Sequence, residues 1–255
     1  MILMKFGGAS VAESKSFQNI ACIIRERKKE GLPIIVVISA MAGVTDQLLQ
    51  LAREVHANPP VREQDMLISV GERISIALLA MALSQKGIDA VSFTGSQSGI
   101  ITNEEHSDAK IVAVKPGRLC KALERGLVAI VAGFQGVSRL GEITTLGRGG
   151  SDTSAVALAA ALNARAVDFY KDVGGIYTED PKLSRKSTLL PVLSFAEAKA
   201  FAQKGAKVLH RRCIDLAEKN GIALNIRSFH TPNQVGTVVG YGSLRKEIIQ
   251  YEQGD

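Results

Sequence analysis

The residues best suited to chemistry lie in Thr145-Leu-Gly-Arg-Gly-Gly-Ser-Asp-Thr-Ser-Ala155, where three glycines surround one arginine and a Ser-Asp-Thr-Ser run opens an apolar stretch. Glycines let a backbone fold back on itself and let N–H groups approach a ligand with no Cβ in the way. A helix starting there adds unpaired N–H groups and the positive end of its dipole. Arg148 adds a planar, bidentate clamp for anions. One reading is an anion or phosphate site with the Asp152 carboxylate at its edge. The other is a glycine-rich loop in which Ser151 and Asp152 cap a helix. Three further loops, residues 5–10, 39–46 and 172–181, also combine small residues with charges. None of the four fits the dinucleotide fingerprint Gly-x-Gly-x-x-Gly or the Walker A pattern. Together with Lys5 and Arg148 they offer oriented N–H groups and positive charge. Phosphoryl transfer asks for that, because its catalysis is mainly positioning and charge neutralisation.

Loops of this kind need rigid elements to aim them. Residues 2–6 read as a strand running into Gly7-Gly8, followed by a helix over about 14–30 with Phe17, Ile20, Ala21 and Ile24 on one face. Residues 33–39 are an apolar, β-branched strand of the kind buried in parallel sheets. The pattern then predicts one long helix over about 64–86. Glu72 and Arg73 sit at the edge of its apolar part, so Glu72 needs a partner or a ligand unless the two residues pair on the outer face. Short strands at 90–93 and 99–102, a helix over 115–125, a strand at 127–133, a hairpin over 135–144 and an all-apolar helix over 154–162 follow. Beyond a strand at 166–171, Ser194 and Glu197 have capping-box spacing ahead of a helix to 202. A helix over 207–218 and strands at 222–228 and 237–239 complete the pattern, and the tail from 242 is expected to fray. Strands alternating with helices argue for an open α/β sheet covered on both faces, one domain with two lobes, and ligands beyond the C-terminal strand ends.

Composition narrows the function classes. A chain of 255 residues that is 46% hydrophobic buries a large core without staples. No apolar run reads as long and uncharged enough to span a bilayer, and the opening residues 1–8 are too short for a secretory signal. Cys22, Cys120 and Cys213 are odd in number and far apart, which suits a reducing cytoplasm and no metal set; the four histidines are equally scattered. The net charge of +6 is spread among acidic residues and accompanied by only 5% aromatics, so a polyanionic small molecule explains it as well as nucleic acid does. No nucleic-acid-binding motif is present in the sequence.

Lys5-Phe-Gly-Gly8, Ser69-Val-Gly-Glu72, Ala132-Gly-Phe-Gln-Gly136, the 145–152 loop and Gly175-Ile-Tyr-Thr-Glu-Asp-Pro181 occur in an order and spacing, from residue 2 to about 240, that resemble the motifs of aspartate kinases, a branch of the amino acid kinase family. The resemblance implies a three-layer αβα sandwich around a large, mainly parallel open sheet. Residues 1–240 would form the catalytic domain, an N-terminal lobe for the amino acid and a C-terminal lobe for ATP, with a polar tail at 241–255. It implies transfer of the ATP γ-phosphoryl to the β-carboxylate of L-aspartate, opening lysine, threonine and methionine biosynthesis, with Mg2+ held mainly through the ATP phosphates. Carried over, Lys5, Asp152 and Lys207 are catalytic, and Thr45, Glu72, Arg148 and Ser151 bind the substrate, with Glu72 on its amino group and Arg148 on a carboxylate. Lys5, Phe6, Gly7, Gly8, Lys171, Asp172, Tyr177, Thr178, Asp180 and Lys207 contact the nucleotide. No residue is assigned to a metal, and neither nucleic acid nor a membrane is an expected partner. Read without the resemblance, Tyr177 is equally a core aromatic and Lys207 an exposed lysine, while His210 is structural.

Four positions depart from the pattern: Ala9 and Lys171 where threonine is usual, Gly174 where aspartate is commoner, and Arg211 in place of a proline. The chain also stops where relatives usually carry paired ACT domains, implying a truncation or a form without that feedback control. Other readings are a kinase of the same family acting on acetylglutamate, glutamate, carbamate or a nucleotide monophosphate, and a catalytically silent regulatory subunit. A homodimer or larger homo-oligomer and a separate regulatory chain are left open.

Overall fold

The computed structural model describes residues 1–179, 184, 186–206, 208–242 and 248–252. Asp180 and Lys207, both expected at the nucleotide, lie outside the described residues. In chain order the elements are β1 (Ile2–Phe6), a 3₁₀ turn (Gly8–Val11), α1 (Ser14–Lys28), β2 (Ile34–Ile38), α2 (Val44–Val55), α3 (Val61–Ile68), α4 (Val70–Ser84), β3 (Ala90–Phe93), β4 (Ile100–Thr102) and β5 (Ile111–Val114). There follow α5 (Gly117–Glu124), β6 (Val128–Ala132), β7 (Gln135–Ser138), β8 (Ile143–Thr145), α6 (Gly150–Ala161), β9 (Ala166–Lys171), β10 (Val192–Leu193), α7 (Phe195–Gln203), α8 (Arg211–Asn220), β11 (Ala223–Ser228) and β12 (Val235–Val239).

Eight strands form the main sheet in the order β10-β12-β11-β9-β1-β2-β6-β3. Its pairs are parallel except β11 with β12, which run antiparallel. The central strands β1, β2 and β6 are buried at every residue, which is why they read as unbroken apolar runs. Alternate side chains point to opposite faces. Met4, Phe6, Val36 and Ile130 pack with Phe17, Ile20 and Ile24 of α1 and Leu79 and Leu83 of α4. Leu3, Ile35, Val131 and Phe169 pack with α6 and with Cys213, Ile214 and Ala217 of α8. The sheet thus lies between two helical layers. Helix α6 is buried along Gly150–Ala160, so its apolar character all round is a consequence of its central place.

Several expectations are corrected. The long helix over 64–86 is two helices that meet at Ser69, whose carbonyl accepts from Gln135 Nε2 at 2.8 Å. Val61–Ser84 is, among the described residues, long and apolar enough to cross a membrane, against the expectation; half of it is buried, and Asp65 and Glu72 lie inside the fold. A second, four-stranded sheet in the order β5-β4-β7-β8 contains the expected hairpin and the unexpected β5. The helix expected from 207 begins at Arg211. The tail does not fray over 248–252: Gln250 exchanges hydrogen bonds with Asn220, and Glu252 pairs with Ile111 of β5.

Candidate active site

The strand order reverses between β1 and β9: successive strands step away through β2 and β6 on one side and through β11 on the other. Open sheets bind ligands at such a point, beyond the C-terminal strand ends. Lys5 comes from the end of β1, Lys171 from the end of β9, and Asp152 from the first turn of α6. Asp152 forms an ion pair with Lys5 through Oδ1 and accepts from Lys171 Nζ through Oδ2 at 3.0 Å. Lys5 and Asp152 are 4% and 6% exposed. Burial alone would push Asp152 up, but Lys171 and Lys5 outweigh it and hold the carboxyl at about 2. Burial pulls Lys5 down from the usual lysine value, against the opposing attraction of Asp152. The result is a buried row of alternating charge, cation–anion–cation, whose carboxylate stays ionised at neutral pH.

On one side of the row lies a cavity of about 260 Å³ lined by Lys5, Ser39, Thr45, Glu72, Phe134 and residues 147–152. Arg148 and Ser151 therefore line the same cavity as Thr45 and Glu72. Glu72 is buried without pairing to Arg73; its Oε1 accepts from the Ala40 N–H at 3.0 Å, and its Oε2 has no partner among the described residues. Burial pushes its carboxyl up to about 7 despite that hydrogen bond and the nearby Lys5. Neither Ser151 nor Asp152 caps α6. Gly149 is the N-cap, with φ +74 and the His210 ring where a Cβ would stand, so only glycine fits.

The loop is held at its root by Asp65, a fully buried carboxylate of α3. It accepts from the Thr145 N–H (3.0 Å) and hydroxyl (2.6 Å), from the Ser107 N–H (3.0 Å), and bonds His106 Nδ1 (2.9 Å). Phe134 adopts φ +68, a left-handed conformation that bulky residues rarely take. Its N–H donates to the Ser154 hydroxyl at 3.1 Å and its carbonyl accepts from Leu146 at 2.8 Å. Sequence reasoning gave no role to Asp65, Ser39 or Phe134. Ser39 and Phe134 carried a signal only through their segments, the 39–46 loop and the 132–136 motif, and Asp65 carried none.

On the other side lies a larger cavity of about 630 Å³, lined by Lys171, Asp172, Tyr177 and Thr178 together with Ile176, Phe201, Lys204 and Val208. Lys171 therefore faces the second cavity while holding the carboxylate of the first. Thr178 accepts from the Thr188 N–H at 3.1 Å. Tyr177 faces the cavity and its hydroxyl lies over Gly174, where a Cβ would come within 3.1 Å. Phe6 is different: its ring stacks on Tyr170 in the core, centroids 4.6 Å apart, and lines neither cavity. Gly7 lies against the Lys5 ammonium, 3.4 Å from a Cβ built there, and with Gly8 lines neither cavity.

Comparison with known proteins agrees with this geometry. The amino acid kinase family profile matches residues 1–228. An aspartokinase of Mycolicibacterium smegmatis is 49% identical over 240 residues, covering 94% of this chain and 57% of that protein. The crystal structure of aspartate kinase from Synechocystis superposes with a TM-score of 0.85 at 45% identity, covering 96% of this chain and 41% of the other. E. coli aspartokinase III, solved in complex with aspartate and ADP, gives 0.83 at 28% identity, covering 94% and 64%. The chain spans about three fifths of the length of the curated relatives it matches. On its sheet order, its site and these matches, the chain belongs to the amino acid kinase family.

Proposed function

We propose that this chain transfers the γ-phosphoryl of ATP to the β-carboxylate of L-aspartate. The observation that carries the reading is the Lys5–Asp152–Lys171 row, which joins a small cavity rich in charge to a larger, partly apolar one. The acceptor occupies the first, formed by the chain up to α6, and the nucleotide the second, formed from β9 onward. The likeness to aspartokinases, one of them solved with aspartate and ADP, supports this choice of substrates.

In this reading the free Oε2 of Glu72 takes the substrate ammonium, and that positive charge draws the Glu72 proton off. Arg148 grips the α-carboxylate, Thr45 and Ser151 complete the pocket, and the β-carboxylate is left facing Lys5. The attacking oxygen is ionised at pH 7 and needs no general base. Asp152 is a poor base as well, since its two lysines hold its carboxyl at about 2, where it has little affinity for a proton. Its work is to hold Lys5 and Lys171 charged and in line, where they stabilise the charge spread over the transferring phosphoryl. Asp172, Tyr177 and Thr178 border the nucleotide; Asp180 and Lys207 remain in the reading as expectations. Mg2+ would be carried mainly by the nucleotide phosphates, where it would neutralise their charge.

The test is purified protein with Mg-ATP and L-aspartate, read by ADP release and by an acyl phosphate trapped with hydroxylamine. Product with aspartate, and none with acetylglutamate, glutamate, carbamate or UMP, is the expected result. Turnover with another acceptor alone would overturn the substrate, and nucleotide binding without turnover on any acceptor would favour a silent regulatory chain.

A further inference from the structure

Arg212, in the first turn of α8, reaches away from its own helix toward the loop that carries Arg148. Its Nη1 donates to the Leu146 carbonyl and lies 3.1 Å from Asp108 Oδ1, and its Nη2 donates to the Ala109 carbonyl. Its charge is balanced by Glu252 of the tail, which it meets through Nε and through Nη2, the latter at 2.9 Å. The Arg212 and Glu252 side chains are 13% and 11% exposed, so the pair is largely out of water. Glu252 is fixed in turn: its Oε2 accepts from the Ile111 N–H at 2.9 Å, and its own N–H donates to the Ile111 carbonyl at 3.0 Å. Two residues earlier, Gln250 is tied to Asn220 at the far end of α8 by bonds of 2.8 and 2.9 Å.

The Leu146 peptide is thereby pinned on both sides, its N–H on Phe134 and its carbonyl on Arg212. Gly147 follows, with φ +68 and Asp108 against its Cα, and then Arg148. Beyond Arg148, Gly149 rests against the ring of His210, the N-cap of α8. The start of α8 therefore holds the loop both before and after Arg148, and the tail holds the start of α8.

We propose that Arg212 and Glu252 are positioning residues for the acceptor side: the docked segment 248–252 sets, through Arg212 and the Leu146 carbonyl, where the Arg148 guanidinium stands. The proposal rests on the reading of Arg148 as the clamp for a substrate carboxylate. An arginine that loses the better buried of its two carboxylates keeps only the exposed Asp108 and gives up its geometry, and a displacement of about 1 Å at a clamp is enough to cost up to about a hundredfold.

The experiment compares Arg148→Lys, Arg212→Lys, Glu252→Gln and Glu252→Asp with the wild-type chain, by steady-state kinetics in both substrates and by hydrogen exchange of amides 146–150. Glu252→Gln and Arg212→Lys are expected to raise KM for aspartate about tenfold, with kcat and KM for ATP changed less than about twofold. Exchange at 146–150 is expected to quicken, and Glu252→Asp to recover most of the loss. Should Arg212→Lys fail to fold, the isosteric Glu252→Gln decides alone. An unchanged KM for aspartate in Glu252→Gln, while Arg148→Lys raises it, overturns the coupling and leaves the clamp intact. A fall in kcat alone, with both KM values unchanged, means a lost folded fraction and also overturns it. An Arg148→Lys variant with normal KM for aspartate removes the clamp, and the coupling with it.

Discussion

The cavity that holds Glu72 and Arg148 and the one that holds Tyr177 and Phe201 share a wall at the Asp152–Lys171 pair, yet they differ in kind. The first is small and lined by ionisable groups, two of them carboxylates driven in opposite directions: Asp152 down to about 2, Glu72 up to about 7. The second is more than twice as large and sets Lys171, Asp172, Glu179 and Lys204 among Ile176, Tyr177, Phe201 and Val208. The same number of charged residues stands in less than half the space in the first cavity, while the second adds apolar and aromatic surface. The two buried carboxylates of the first cavity differ as well. The carboxylate with two lysines is held ionised, and the one that accepts from the Ala40 amide is driven toward its protonated form by burial.

Lys5 lines the first cavity and pairs with the carboxylate at the shared wall, and its removal is the largest break. Lys5→Met is expected to lower kcat about a thousandfold, measured by ADP release, while the melting transition stays cooperative because Lys171 still neutralises Asp152. Activity within tenfold of wild type would take Lys5 out of the chemistry.

The opposed carboxylates predict opposed pH dependences of stability in the unliganded protein. Glu72 is raised from 4.5 to about 7, so the folded state binds its proton more tightly. Stability is lost as pH rises from about 4.5 to 7, by on the order of 3 kcal/mol. Asp152 is depressed from 3.8 to about 2, so its contribution is present above about 4 and is lost as pH falls toward 2. Urea midpoints across pH, compared between wild type and Glu72→Gln, isolate the first limb: it should vanish in the variant, and a parallel pair of curves would refute the raised value.

The same titration appears in catalysis with reversed benefit. In the wild type, kcat/KM for aspartate should rise with pH through about 7, as the free enzyme's Glu72 ionises to meet the substrate ammonium. In Glu72→Gln that limb is lost and kcat/KM at pH 8 drops about a hundredfold. A pH profile unchanged by the substitution would move the ammonium elsewhere. The smallest effect belongs to the larger cavity: Phe201→Ala is expected to raise KM for ATP roughly threefold, with KM for aspartate unmoved, in two-substrate kinetics.

What the sequence made legible was local. β2 and β6 announced themselves as apolar runs and β1 and β9 as short strands running into small residues; Lys5 and Lys171 stand at such strand ends, and Asp152 follows the glycines that open α6. Ser194 and Glu197 form the expected capping box. What stayed hidden depends on partners far along the chain. Asp65 looks like any helical acid, yet its partners are 41 to 80 residues away. Arg212 drew notice only through its neighbour Arg211, while its contacts reach 40 to 104 residues. Strand β5 is four residues long and only half buried, too short for periodicity to speak. The junction at Ser69 is met by Gln135, 66 residues away, a contact that no helical pattern contains.

Phe134 has one more consequence. An aromatic residue in the left-handed region costs on the order of 1–3 kcal/mol, and here it is kept there by the Ser154 hydroxyl and the Leu146 amide. Glycine at 134 would release that strain and remove a wall of the smaller cavity in one change. At this position selection for a sturdier fold and selection for a tighter substrate pocket pull apart, and the residue present records which of the two prevailed.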